Sequence, residues 1–135
     1  MRVMLIRLAM WILQYMLARE TESVPQSFTG QGLTGKPSEA RSSHWPIVRA
    51  AHLRLNPKCA ATGDTNDLEV HHVEPYHLRP DLELDPSNLI TLTEKSKTLA
   101  GLNMHFIAGH LCNWSDVNPS VRRVAAFIRK SVGNE

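Results

Sequence analysis

Seven of the 135 residues are histidine, and five of these (His71, His72, His77, His105 and His110) lie between positions 71 and 110. Clustered imidazole points to metal or proton chemistry, because a side chain with a pKa near 6.5 is both a base and a ligand at neutral pH. His71 and His72 fall in LEVHHV, residues 68 to 73, a β-branched run that reads as a strand. Neighbours on a strand point to opposite faces, so the two cannot do the same work. One can hold a metal while the other faces a substrate. A second short strand, Asn88 to Thr93, pairs antiparallel with the first, and a helical segment bearing His105 and His110 wraps around the same spot. A separation of five puts those two about 140° apart on an ideal helix. Which of them binds metal therefore stays open, unless Gly109 breaks the helix and lets both converge.

The elements that must position these groups are short. Trp45, Val48, His52 and Leu55 repeat at helical spacing, with Ser43 as N-cap, Asn56-Pro57 as stop, and Arg49 and Arg54 toward solvent. Pro75 ends the first strand, and YHLRPDLELDPSN is a loop. Between Leu99 and Trp114 the pattern is mixed, with Leu102, Phe106 and Ile107 as core candidates and Gly101 and Gly109 against one continuous helix. VRRVAAFIRKSV closes the chain as an amphipathic helix with Arg122, Arg123, Arg129 and Lys130 outward.

Chain length implies one domain, over residues 43 to 135. Ahead of it stand an apolar stretch, residues 1 to 20, and a Ser/Thr/Gly/Pro-rich linker, together residues 1 to 42. The apolar stretch carries Arg2, Arg7 and Gln14 and is short for a membrane span. It reads as a helix laid on the domain or as a signal-peptide core, and Met16 and Ala18 before Arg19 and Glu20 make a poor cleavage site. A cytoplasmic, membrane-free protein is expected. The net charge of +2 and 42% hydrophobic residues exclude collagen-like and wholly disordered classes, and are compatible with phosphate binding without establishing it. The two cysteines, Cys59 and Cys112, form no C-x-x-C pair.

HHVEP, then NLITLT, then a downstream histidine resembles the His-Asn-His (HNH) nucleases built on a ββα-metal finger. The likeness covers roughly residues 41 to 118, and GLNMHFIAGHLCNW is similar to a subgroup in which a histidine pair and an Asn-Trp dipeptide close the motif. The resemblance implies an α+β fold with a ββα-metal core and flanking helices. It implies His71 as first metal ligand, His72 as general base, and Asn88 as the residue that braces the loop and orients His72, with His105 or His110 completing the metal site. The implied activity is metal-dependent hydrolysis of DNA phosphodiester bonds. The implied cofactor is one divalent ion, Mg²⁺ or Mn²⁺, with Ni²⁺, Co²⁺ or Zn²⁺ as others an imidazole-rich site takes. The alternative is a non-catalytic metal- or nucleic-acid-binding module that keeps the finger.

The chain departs from the family where two C-x-x-C pairs commonly bind a structural zinc. Cys59 is followed by Thr62, and Thr93 and Ser96 stand at the second pair, so no structural zinc is expected and hydrophobic packing must hold the finger. Lys97 stands where the short motif has its last histidine, which implies an inserted loop. DNA contact would rest on Arg49, Arg54, Lys58, Arg79, Lys95, Lys97 and the basic C-terminal helix, meeting phosphates with low sequence specificity; RNA stays open as a substrate. The plainer readings are a structural role for His44, His52 and His77, a core position for Trp45, Trp114 and Phe127, a half-buried inert His71-His72 pair, and His110 as a core residue.

Overall fold

The computed structural model describes residues 40 to 133. The expected apolar stretch, and the linker up to residue 39, lie outside the described residues. Helix α1 runs Trp45–Leu55 with Pro46 in its first turn, where a missing N–H costs nothing. Its expected Ser43 cap does not form. The backbone is already helical at His44, the Trp45 N–H is taken by the Ser42 carbonyl at 3.0 Å, and the Ser42 hydroxyl accepts from the His44 N–H. Asn56 stops the helix as expected, its side-chain amide donating to the His52 carbonyl at 3.1 Å. Arg54 is exposed, but Arg49 turns toward the sheet and pairs with Glu69 at 2.9 Å. Leu55, placed in the core by its spacing, is 75% exposed, because His52 is the one residue α1 buries fully.

Strands β1, Leu68–His72, and β2, Leu89–Thr93, form the antiparallel hairpin, each one residue shorter than expected. His71 stands opposite Ile90 and His72 opposite Leu89. All five residues of β2 are buried, so it is covered on both faces, whereas β1 emerges from the core toward Leu68. The long connection between the strands folds into two short 3-10 turns, Pro80–Leu82 and Pro86–Asn88.

The segments around Thr62 and Ser96, which carry no cysteine pair, are held by a carboxylate. Asp64 accepts hydrogen bonds from the hydroxyls of Thr62 (2.9 Å), Ser96 (2.5 Å) and Thr98 (2.7 Å). Thr93, fully buried, donates to the Asn66 carbonyl at 2.8 Å. Hydrophobic packing alone, the expectation from sequence, is therefore not what closes this end of the hairpin. The hydrogen bonds from Ser96, Thr98 and Thr62 hold the Asp64 carboxyl below the usual carboxylate range, against the burial that would raise it.

Beyond Leu99 the chain makes a π turn, His105–Gly109, and then helix α2, Val121–Val132. In α2, Val121, Val124, Ala125 and Ile128 face the core at i, i+3, i+4, i+7. Arg122 and Arg129 are not simply outward: Arg122 donates to the carbonyls of Ser87 and Leu89, and Arg129 to that of Thr62 at 2.7 Å. The π winding also shifts which residues are inside. Met104, Ala108 and Leu111 are buried, while the expected Leu102, Phe106 and Ile107 are half-buried. Trp114 and Phe127, read as core, are 56% and 40% exposed, and Trp45 is half-buried. The architecture is α+β, a β-hairpin followed by helices that matches a ββα-metal core. Among the described residues no helix is long and apolar enough to cross a membrane.

Candidate metal centre

His71 leaves β1 on the face that meets the π turn, and its ring lies on Gly109. A Cβ at position 109 would come within 3.0 to 3.2 Å of three atoms of that imidazole, so any larger residue would have to push the ring aside by a few tenths of an ångström. The turn itself resolves the spacing problem of His105 and His110. Winding at about 4.4 residues per turn brings positions five apart to about 50° of one another, instead of about 140° on an α-helix. The three rings form a nearly equilateral triangle, with centroids 5.1 Å apart for His71–His105 and 5.0 Å for the other two pairs. One ring nitrogen from each lies within 4.8 Å of those of the others. A divalent ion with bonds of about 2.1 Å in tetrahedral geometry needs its nitrogens about 3.4 Å apart, a closure of modest side-chain rotation.

The partners of the outer nitrogens decide the chemistry. His110 Nδ1 meets the Asp116 carbonyl at 2.7 Å and His105 Nδ1 meets the Glu94 carboxylate at 3.3 Å. Each acceptor fixes the proton on Nδ1 and leaves the Nε2 lone pair for a ligand bond. His71 Nε2 is buried and has no hydrogen-bond partner. An orphaned buried imidazole nitrogen inside a triad of imidazoles is what a bound ion would satisfy. Burial first, then the neighbouring His105, His110 and His72, depress the His71 pKa to about 3, so it is a neutral ligand at pH 7. Burial also lowers His110, partly offset by its bond to Asp116. A left-handed pair, Leu111 (φ 51°) and Cys112 (φ 62°), reverses the chain after the turn so that Asp116 can return beneath His110.

His72, on the other face of β1, is 8% exposed and lies 4.6 Å from the Trp45 ring. Its Nε2 donates to the Glu83 carbonyl at 2.9 Å, which leaves Nδ1 without the proton. Burial lowers its pKa, and the bond to Glu83 opposes that shift. Asn88 pins the loop that presents Glu83: its Oδ1 accepts from the Glu74 N–H at 2.7 Å, and its Nδ2 donates to the carbonyls of Glu74 (3.0 Å) and Leu82 (3.2 Å). His71 and His72, though on opposite faces, line one cleft of about 420 Å³ together with His105, His110, Arg41 and Trp114.

Of the six cations singled out from the sequence, none lines this cleft. Arg49 is paired with Glu69 and Arg79 with Asp81, while Arg54, Lys58, Lys95 and Lys97 are exposed. The cation at the cleft is Arg41, stacked over Trp45 and Tyr76 at 5.3 and 4.8 Å. It sits at the end of a polar linker, where no periodicity marks it. Glu94 and Asp116, which orient two of the histidines, also carried no sequence signal beyond lying near them. His44 and His77 are exposed and His52 is buried in α1. No family model matches the chain, and neither a curated protein nor a solved structure matches it.

Proposed function

We propose that this protein is a single-metal endonuclease that hydrolyses DNA phosphodiester bonds. The observation that supports this best is the three-histidine cluster with its outer nitrogens tied to acceptors, sharing a cleft with a fourth histidine whose tautomer is set separately. A divalent ion held by His71, His105 and His110 would neutralise charge on the phosphoryl oxygens and on the departing 3′ oxygen.

The chain's own groups supply the rest. His72 takes a proton from the attacking water at Nδ1, because Nε2–H is committed to the Glu83 carbonyl. With its pKa lowered, His72 is unprotonated at neutral pH and ready as a base, a role worth about 10²- to 10⁴-fold in rate. Asn88 acts on this step at one remove, holding the loop that holds Glu83. Arg41 at the cleft, with the exposed Arg54, Lys95 and Lys97, meets backbone phosphates and reads no base, so low sequence specificity follows.

Relaxation of supercoiled plasmid, in EDTA and then with Mg²⁺, Mn²⁺, Ni²⁺ or Zn²⁺ restored, tests the reading. The expected result is metal-dependent nicking that falls at least about 10²-fold in His72→Ala while metal affinity is kept. Metal uptake without cleavage by any ion would reassign the chain to a binding module.

A further inference from the structure

A second cavity, of about 740 Å³, lies between α1, β2 and α2 and shares no lining residue with the histidine cleft. Four cations border it: Lys58, Arg122, Arg129 and Lys130. No carboxylate is among its described lining residues. Its floor is apolar, from Pro57, Leu89, Ile90, Ala125 and Ala126. His52 also lines it, and it is a buried imidazole that the proposed chemistry leaves unused. Asn56 Nδ2 lies 3.5 Å from His52 Nδ1 and favours the tautomer with the proton on Nε2. That Nε2 is buried and has no partner. His52 and Arg122 line the cavity together, and burial, and next the charge of Arg122, hold the His52 pKa below its ordinary value.

We infer that this cavity is a binding site for a phosphorylated ligand with a flat apolar body, of which a nucleotide is the simplest. Charge complementarity selects the anion, since every charged side chain bordering the cavity is cationic and two of them are already anchored. Arg122 is fixed by the carbonyls of Ser87 and Leu89 and Arg129 by that of Thr62, so their guanidinium groups are preorganised. The apolar floor selects against inorganic phosphate alone, and the volume lies in the range that encloses a small organic ligand. The inference stands apart from the proposed metal site and its general base, because the cavity shares no lining residue with the histidine cleft.

Calorimetric titration in EDTA separates it from the histidine cleft. A 5′-mononucleotide should bind, and the same nucleoside without phosphate should bind at least about tenfold more weakly. The side chains of Lys58 and Lys130 are exposed and make no hydrogen bond among the described residues, so Lys58→Glu with Lys130→Glu should keep the fold and lose about tenfold in nucleotide affinity. The His52 ring nitrogen resonances should move on titration in the wild-type protein. A 5′-phosphorylated tetranucleotide distinguishes the sources: tighter binding than the mononucleotide assigns the site to a strand end, weaker binding to a free nucleotide. Equal binding of nucleotide and nucleoside, or unchanged affinity in the charge-reversed protein, would overturn the inference.

Discussion

The three imidazoles of the metal cluster are not equivalent, and the differences carry consequences at the level of single side chains. His71 is the buried one, held neutral by desolvation, while His105 and His110 are oriented by acceptors at their outer nitrogens. Between pH about 6.5 and about 3 the unfolded chain binds a proton at this position that the folded protein refuses. Metal-free protein should thus hold its stability above pH 6.5 and lose it progressively as the pH falls toward 3, which thermal melts across that range in EDTA would show. Constant stability from pH 7 to 4 would contradict the burial of His71. Gly109→Ala pushes a methyl group into the same ring. It should cost about 1 to 3 kcal/mol of stability and weaken metal binding more than tenfold, by melting and by metal titration respectively. Asn88→Ala removes three hydrogen bonds of a buried amide and should cost about 2 to 4 kcal/mol, with nicking reduced as well. Asn88→Asp should not rescue either quantity, because two of the three bonds need an N–H donor.

At the scale of elements, the Asp64 cluster does for the hairpin what a bound ion does in the finger it resembles. Asp64→Ala strands the hydroxyls of Thr62 and Ser96, both buried, and should lower stability by about 2 to 4 kcal/mol without touching the histidines. A variant that melts like wild type would show that the apolar core suffices. The two strands were legible because LEVHHV and NLITLT are short runs carrying β-branched residues and bounded by turn residues. The triad was only half legible. His71 is marked by its neighbour, but a separation of five puts His105 and His110 on different helix faces until the π turn is known, and beyond Gly109 as a possible break nothing in the residue types announces that winding. Trp114 was misplaced for a related reason: its apolar bulk suggests a core position, whereas it rests against the rings of His105, His110 and Phe106 at the edge of the cleft. Asp64 was silent because one carboxylate in a turn is indistinguishable by sequence from a solvated one.

For the molecule as a whole, stability and metal binding are separable. The described chain closes its hairpin with hydrogen bonds and packs α2 through Val121, Val124, Ala125 and Ile128, so removal of metal should leave it folded. Far-UV circular dichroism in EDTA should match that of the loaded protein, with a melting temperature lower only by the mass action of the bound ion. Collapse on chelation would mean that the triad is needed for folding. The pairing of β1 with β2 has a further bearing on any preparation of this protein. Because side chains alternate along a strand, a hairpin slipped by one residue would turn His71 and His72 each to the opposite face, and a slip that sets His71 opposite Leu89 puts the ligand where the proposed base belongs. Such a species would keep a hairpin but turn the buried Val70 of β1 to the wrong face, and it would be inert. The bonds between Asn88, one residue before β2, and Glu74, two residues after β1, tie the two strands at a fixed offset. Asn88 then acts as a proofreading device for strand alignment, and its loss should add a fraction of inactive, misaligned molecules to the slowing that a loosened Glu83 loop brings.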